Sequence, residues 1–241
     1  MQHFNFSPVA DTTRRAGVAA LLKQAILTGQ LVPGQKVNEL RIAEQMRVSR
    51  APLREAIRDL VQEGLLVNIP YAGAYVINIT AKDIQDIYAL HRALEDFAIE
   101  QVWALRNDQF FRTLDERHEA VKQATLDSDL ARQIEDALRL HSLIYEWSDN
   151  AVLLDTWRRL ASRLQMIFAV HQQARNEPVP PIDIHEEYVR LFRGSDMLAA
   201  QKHAREHIDW NLEELLAYAH GLEKNLDSPI RARTPKKLKG V

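Results

Sequence analysis

The stretch from Ile42 to Leu60, IAEQMRVSRAPLREAIRDL, constrains this chain more than any other. Its spacing predicts two short helices across a tight turn, the second opened by Ser49 and carrying Arg50, Arg54 and Arg58. A four-residue step turns about 40° round a helix, so the arginines run along one flank. Leu53, Ile57 and Leu60 fall on the adjoining flank and can seat the helix on its own domain. Ser49 is expected to cap first-turn N–H groups, leaving the positive helix end aimed outward. A short helix, a turn and an arginine-edged second helix can enter a DNA major groove. The same charge pattern also suits a plain solvated face, and the flanking segments favour DNA.

Downstream, the helix is expected to end near Gly64 and pass into Leu65-Leu66-Val67. Asn68 to Ile79 then reads as two short strands around a loop with Gly73 near its tip, a β-wing. Upstream, Ala16 to Thr28 is an amphipathic helix with Val18, Leu21, Leu22, Ala25 and Ile26 on one side. Gly29 closes it, and Leu31-Val32-Pro33-Gly34 makes the next turn.

A net charge of −2 over 241 residues looks wrong for a DNA-binding protein, but the average hides a division. Residues 1–79 carry 9 Lys/Arg against 6 Asp/Glu, whereas residues 80–228 carry 17 against 27. Phosphate contacts need local positive charge, so a basic N-terminal domain can precede an acidic one. The split places four segments: an extension (1–15), a winged helix-turn-helix (16–79), a helical domain (80–228) and a tail (229–241). The tail has 5 basic residues and no apolar face, and is expected to be disordered.

From Thr80 the pattern is helix-periodic throughout. Thr80 and Asp83 open a helix carrying Ile84, Ile87, Leu90, Leu94, Ala98 and Val102. Further helices are expected over 108–127, 129–147, 150–173, 182–194 and 196–220, with turn or cap residues between them. The fold class is therefore mainly α: a winged helix-turn-helix followed by an antiparallel bundle of about six helices. The chain has no cysteine, so disulfides and thiolate metal sites are excluded. No apolar run approaches the roughly 18 residues that span a membrane, nor is there a signal-peptide core. A soluble cytoplasmic protein of a prokaryote is the expectation.

The bundle's chemistry rests on histidines. His141, His185 and His207 fall on three different helices, and His203 precedes His207 by one turn. Facing helices can converge imidazoles on one divalent ion, though single bundle histidines are commonly hydrogen-bonded core or surface residues. Three imidazoles could also activate a water, as in a metal hydrolase. No His-Glu-x-x-His run, nucleophile elbow or phosphate-cradling loop accompanies them, which favours a sensor over an enzyme. A DNA-architectural protein without effector is the third reading. The four tryptophans, 103, 147, 157 and 210, read as core or interface.

The chain resembles GntR-family transcription regulators of the FadR subfamily. The resemblance is carried by ILTGQLVPG (26–34), VSRAPLREA (48–56), Glu63-Gly64-Leu65 and Gly73. It implies that Arg50 and Arg54 contact bases or phosphates and that Gly73 lets the wing approach the minor groove. Arg41, Ser49, Ala51 and Arg58 complete the candidate DNA-facing set. Where some members have an arginine before the turn, this chain has Leu40, with Arg41 beside it, which leaves the operator preference open. The operator is expected to be palindromic and the protein a homodimer.

The C-terminal half resembles the FCD ligand-binding domain, many members of which hold a metal with one aspartate and three histidines. His141, His185 and His207 match the histidine positions, with Asp196 and Ala200 fitting the pattern between the last two. The aspartate position is Ala137, and Asp136 points about 140° away from His141. His203 is a candidate substitute, and His91 stands where an arginine often helps to hold acidic ligands. The resemblance therefore implies a repressor of a catabolic operon, released by a small carboxylate. That effector would meet His91, His141, His185, His203 and His207. It would be held either through zinc or a similar divalent metal on His141, His185 and His207, or in a metal-free pocket.

Overall fold

The computed structural model describes residues 12–175 and 183–226. Helix α1 (Thr12–Leu27) begins before the expected Ala16 and buries Val18, Leu22 and Ile26, while Leu21 faces outward. Gly29 breaks it with φ 71°. Helix α2 (Glu39–Met46) is capped by Asn38, whose Oδ1 accepts from Arg41 N at 3.1 Å. Arg47, at φ 52°, makes the tight turn into α3 (Arg50–Gln62). Leu53, Ala56, Ile57 and Leu60 of α3 are buried, as the apolar flank requires.

Strands β1 (Leu66–Ile69) and β2 (Gly73–Val76) pair antiparallel, with Leu66 opposite Val76 and Ile69 opposite Gly73. Gly73, at φ 98°, opens the returning strand rather than occupying the tip. The tip is Pro70-Tyr71-Ala72, with Tyr71 wholly exposed in the left-handed region at φ 62°.

Thr80 and Asp83 form a reciprocal capping box at the start of α4 (Ala81–Val102). A single 3-10 turn, Trp103–Leu105, leads to α5 (Asp108–Leu126), capped by Asn107. Helices α6 (Leu130–Glu146), α7 (Ala151–Arg175), α8 (Asp183–Arg193) and α9 (Met197–Leu226) follow. Helix α9 outruns its expected end at residue 220. Helix α4 packs along α9, α6 lies between α5 and α7, and α8 rests on α5 and α9. Tyr88, Phe110, Tyr145, Trp157, Tyr188 and Phe192 fill the bundle core. The proline-rich break at 178–181 and the basic tail lie outside the described residues.

The two halves are in direct contact. Met166 of α7 is fully buried in the hydrophobic core of the winged domain. Beside it, Lys23 Nζ lies 3.1 Å from Glu63 Oε2 and 3.3 Å from Ser162 Oγ. A cleft of about 1410 Å³ opens between α1, α3, α6 and α7.

Candidate functional site

Arg41, Ser49, Arg50, Ala51, Arg54 and Arg58 are all exposed, and the buried face of α3 is the opposite one. Ser49 occupies the N-cap position with extended backbone, but its side chain makes no capping bond. The expected cap is thus corrected, and the reason is local. An N-cap oxygen bonds the second or third helical N–H, and the third residue here is Pro52, which has none. The uncapped first turn keeps donors directed outward, suited to an anion. Arg54 Nε lies 2.9 Å from Glu39 Oε2, which ties the start of α2 to the arginine flank.

In the bundle, α6, α8 and α9 bring His141, His185 and His207 together: one ligand nitrogen from each lies within 4.8 Å of the others. Ring centroids are 5.4 Å apart for His141 and His207, and 5.7 Å for the other two pairs. The Nδ1 atoms of all three are buried without a hydrogen-bond partner. Burial, followed by the charge of His141, pushes His185 down to about 3. The same two causes hold His207 well below the usual imidazole range. Both are therefore neutral near pH 7, and Asn211 Nδ2 stands 3.4 Å from His207 Nε2. His203 lies one turn before His207 and outside this trio. Asp136 is also outside it, with Oδ1 3.3 Å from Arg139 Nη1. Asp136 is buried, but helix α6 runs on unbroken there, so no bulge turns it toward the trio.

His91 of α4 reaches the same region through Glu95. Glu95 is 2% exposed, with Oε2 3.5 Å from His91 Nε2 and Oε1 3.6 Å from His141 Nδ1. Tyr145 donates to Glu95 Oε2 at 2.6 Å. Burial alone would raise the Glu95 carboxyl, but His141 and His91 outweigh it and hold the group below the ordinary carboxylate range. Trp157 closes this end, stacked on Tyr145 at 4.1 Å and 5.3 Å from His91. Tyr188 packs edge-on to His141 at 4.9 Å, its hydroxyl buried and unpartnered.

Sequence reasoning found the histidines and missed Glu95, Tyr145 and Tyr188. The signal for Glu95 is its position in the stripe Ile84, Tyr88, His91, Glu95, Ala98, Val102, where a charge is out of place. Arg106 supports the site from outside, donating to the carbonyls of Phe192 and Gly194 at the end of α8.

Residues 14–76 match the family described as bacterial regulatory proteins, gntR family, and residues 86–209 match the FCD domain. The chain is 29% identical over 215 residues to the Nta operon transcriptional regulator of Aminobacter aminovorans, covering 83% of this chain and 96% of that one. It is 24% identical over 197 residues to the gluconate operon transcriptional repressor of Bacillus licheniformis, covering 80% and 81%. Its fold matches a GntR transcriptional regulator from Rhodococcus sp. RHA1 with TM-score 0.73, at 22% identity and covering 86% and 99%. The chain belongs to the GntR family and carries an FCD domain behind its winged helix. It is a ligand-responsive transcription regulator, not an enzyme. No helix among the described residues is long and apolar enough to cross a membrane.

Proposed function

We propose that this protein is a homodimeric repressor of the FadR subfamily that controls a catabolic operon in the cytoplasm and leaves its operator when a small carboxylate binds. The unit over 16–79 binds DNA and the unit over 80–228 senses the effector. Arg50, Arg54 and Arg58 meet the major groove with Arg41, Ser49 and Ala51 at its edge, and the wing turned by Gly73 follows the adjoining minor groove. A twofold dimer sets two such units on a palindrome. Exposed Leu90 and Phe97 on α4 and Trp210 on α9 offer apolar surface for that contact.

The observation that carries the sensing role is the convergence of three imidazoles, His141 and His185 buried and His207 half-buried, in the half that matches the FCD domain. The orphaned Nδ1 atoms of His185 and His207 and the all-imidazole donor set fit a borderline divalent ion such as zinc. His141, His185 and His207 would hold it, and the bound ion would supply a Lewis-acidic position for a carboxylate. His91 and His203 donate to or accept from the rest of the effector. Binding shifts the population away from the operator-competent form through unequal affinities for the two states.

The test is operator binding by fluorescence anisotropy with carbon-source carboxylates, with and without zinc. Genes beside this one on the chromosome name the metabolites to try first. A ligand should cut operator affinity at least five-fold, about 1 kcal/mol of coupling. His185→Ala and His207→Ala should keep apo DNA binding and lose release. Both variants releasing DNA like the wild type would place the sensor elsewhere. Light scattering that returns a single-chain mass at micromolar concentration would remove the dimer.

A further inference from the structure

We infer that Glu95 is the acidic member of the histidine centre, a positioning residue that turns His141 to present Nε2 to a divalent cation and supplies the negative charge that cation needs. The inference rests on the metal reading above. Glu95 is buried in the bundle, and its neighbours are Tyr145, His91 and His141. The ion-pairing side chains that face it are imidazoles alone, with no lysine or arginine beside it among the described residues.

A carboxylate accepts hydrogen bonds and cannot donate them when ionised. The nitrogen of His141 that faces Glu95 is Nδ1, so the favoured tautomer carries its proton there. The lone pair is then on Nε2. A ligand histidine whose other N–H is held by a carboxylate is a recurring arrangement in metal sites, and it raises the basicity of the ligating nitrogen. Tyr145 holds the other oxygen of Glu95 and keeps the carboxylate facing the ring.

Charge makes the same case. A buried carboxylate without a fixed cation is costly unless a positive group stands near it. One imidazole away, on the far side of the His141 ring, stand His185 and His207, with ring centroids 5.7 and 5.4 Å from it. A divalent ion on the trio would compensate Glu95 across the His141 ring. The carboxylate absent at position 137, where Ala137 stands, is in this way supplied from α4 instead of α6.

The experiment uses the full-length protein stripped of metal and titrated with zinc alone, then with cobalt for its visible spectrum. Glu95→Gln, of the same shape, should bind zinc about 10–100-fold more weakly than wild type. Nitrogen-15 NMR of the metal-free wild type should show His141 protonated on Nδ1, and Glu95→Gln should lose that preference. Tyr145→Phe should weaken zinc binding less and alter the cobalt spectrum. Wild-type zinc affinity in Glu95→Gln overturns the inference. So does an Nε2-protonated His141 in the wild type, a measurement that stands even where the variant fails to fold. His185→Ala separates the two levels. If it loses zinc while Glu95→Gln keeps it, only the role of Glu95 falls. If it keeps zinc, the histidine centre itself falls.

Discussion

The guanidinium of Arg163 lies across Gly64, so close that a Cβ on the glycine would stand 2.5 Å from its Nε. Gly64 is the hinge between α3 and the wing, at φ 76°, and Arg163 belongs to a helix of the bundle. One small residue therefore serves both a local turn and the meeting of two domains.

Gly64→Ala should destabilise the protein. The left-handed conformation costs a non-glycine residue about 1–2 kcal/mol, and the arginine must also move. Urea unfolding should show that loss, and Arg163→Ala in the same chain should relieve the part caused by the clash. An unchanged midpoint for Gly64→Ala would show that the turn relaxes freely.

On the DNA side, Arg50→Ala and Arg54→Ala should each weaken operator binding, by about 1–3 kcal/mol where the arginine pairs a guanine. Glu39→Gln should alter the same affinity, because Glu39 holds the Arg54 guanidinium in the free protein. Affinity in all three should fall steeply with salt, as phosphate contacts release counterions. Wild-type binding by both arginine variants in a gel-shift titration would show that α3 does not read the operator.

Acid should loosen the metal-free bundle. The unfolded chain protonates His185 near its ordinary 6.5, whereas the folded chain resists until about 3. Between those values the unfolded state binds more protons, so stability falls as pH falls. His207 has the same sign, and the depressed Glu95 carboxyl adds a further loss below its ordinary 4.5. At pH 5 the His185 share is on the order of 2 kcal/mol. Urea midpoints at pH 7 and 5 in chelator should differ less for His185→Gln than for wild type. Equal differences would mean that His185 takes up its proton in the fold.

Trp157 should report on the pocket. Its indole donates to Ser142 Oγ at 2.7 Å and its ring lies 5.3 Å from His91. Zinc added to the metal-free protein should change tryptophan emission, and Trp157→Phe should remove most of that change. A full-sized change in Trp157→Phe would assign it to another tryptophan.

What could be read in advance divides along physical lines. The helix-turn-helix, the wing and the six bundle helices follow from apolar period and turn residues, which are local properties. His141, His185 and His207 were legible because imidazoles stand out on three separate helices. Glu95 was legible only in its place on the apolar stripe of α4, since a leucine–glutamate pair on a helix ordinarily means a solvent edge. Its burial exists only once α6, α7 and α9 pack over α4. The missing Ser49 cap was legible in principle, since Pro52 stands three residues on. The burial of Met166 in the other domain was not, because nothing in the period of α7 distinguishes a bundle neighbour from a winged helix.

Trp157 and Met166 are nine residues apart on α7, and at 100° per residue that places them half a turn out of phase. One wall of the histidine pocket and one plug in the winged domain's core are thus opposite sides of a single rod. No hinge lies between them, and the separation along the axis is only about 14 Å. Information passed this way is carried by angle and not by slack. A residue inserted after Leu160 would turn Met166, and with it Leu164 and Ile167 of the bundle core, by about 100° against Trp157. The protein would then keep a pocket and a DNA-reading head that no longer agree on direction.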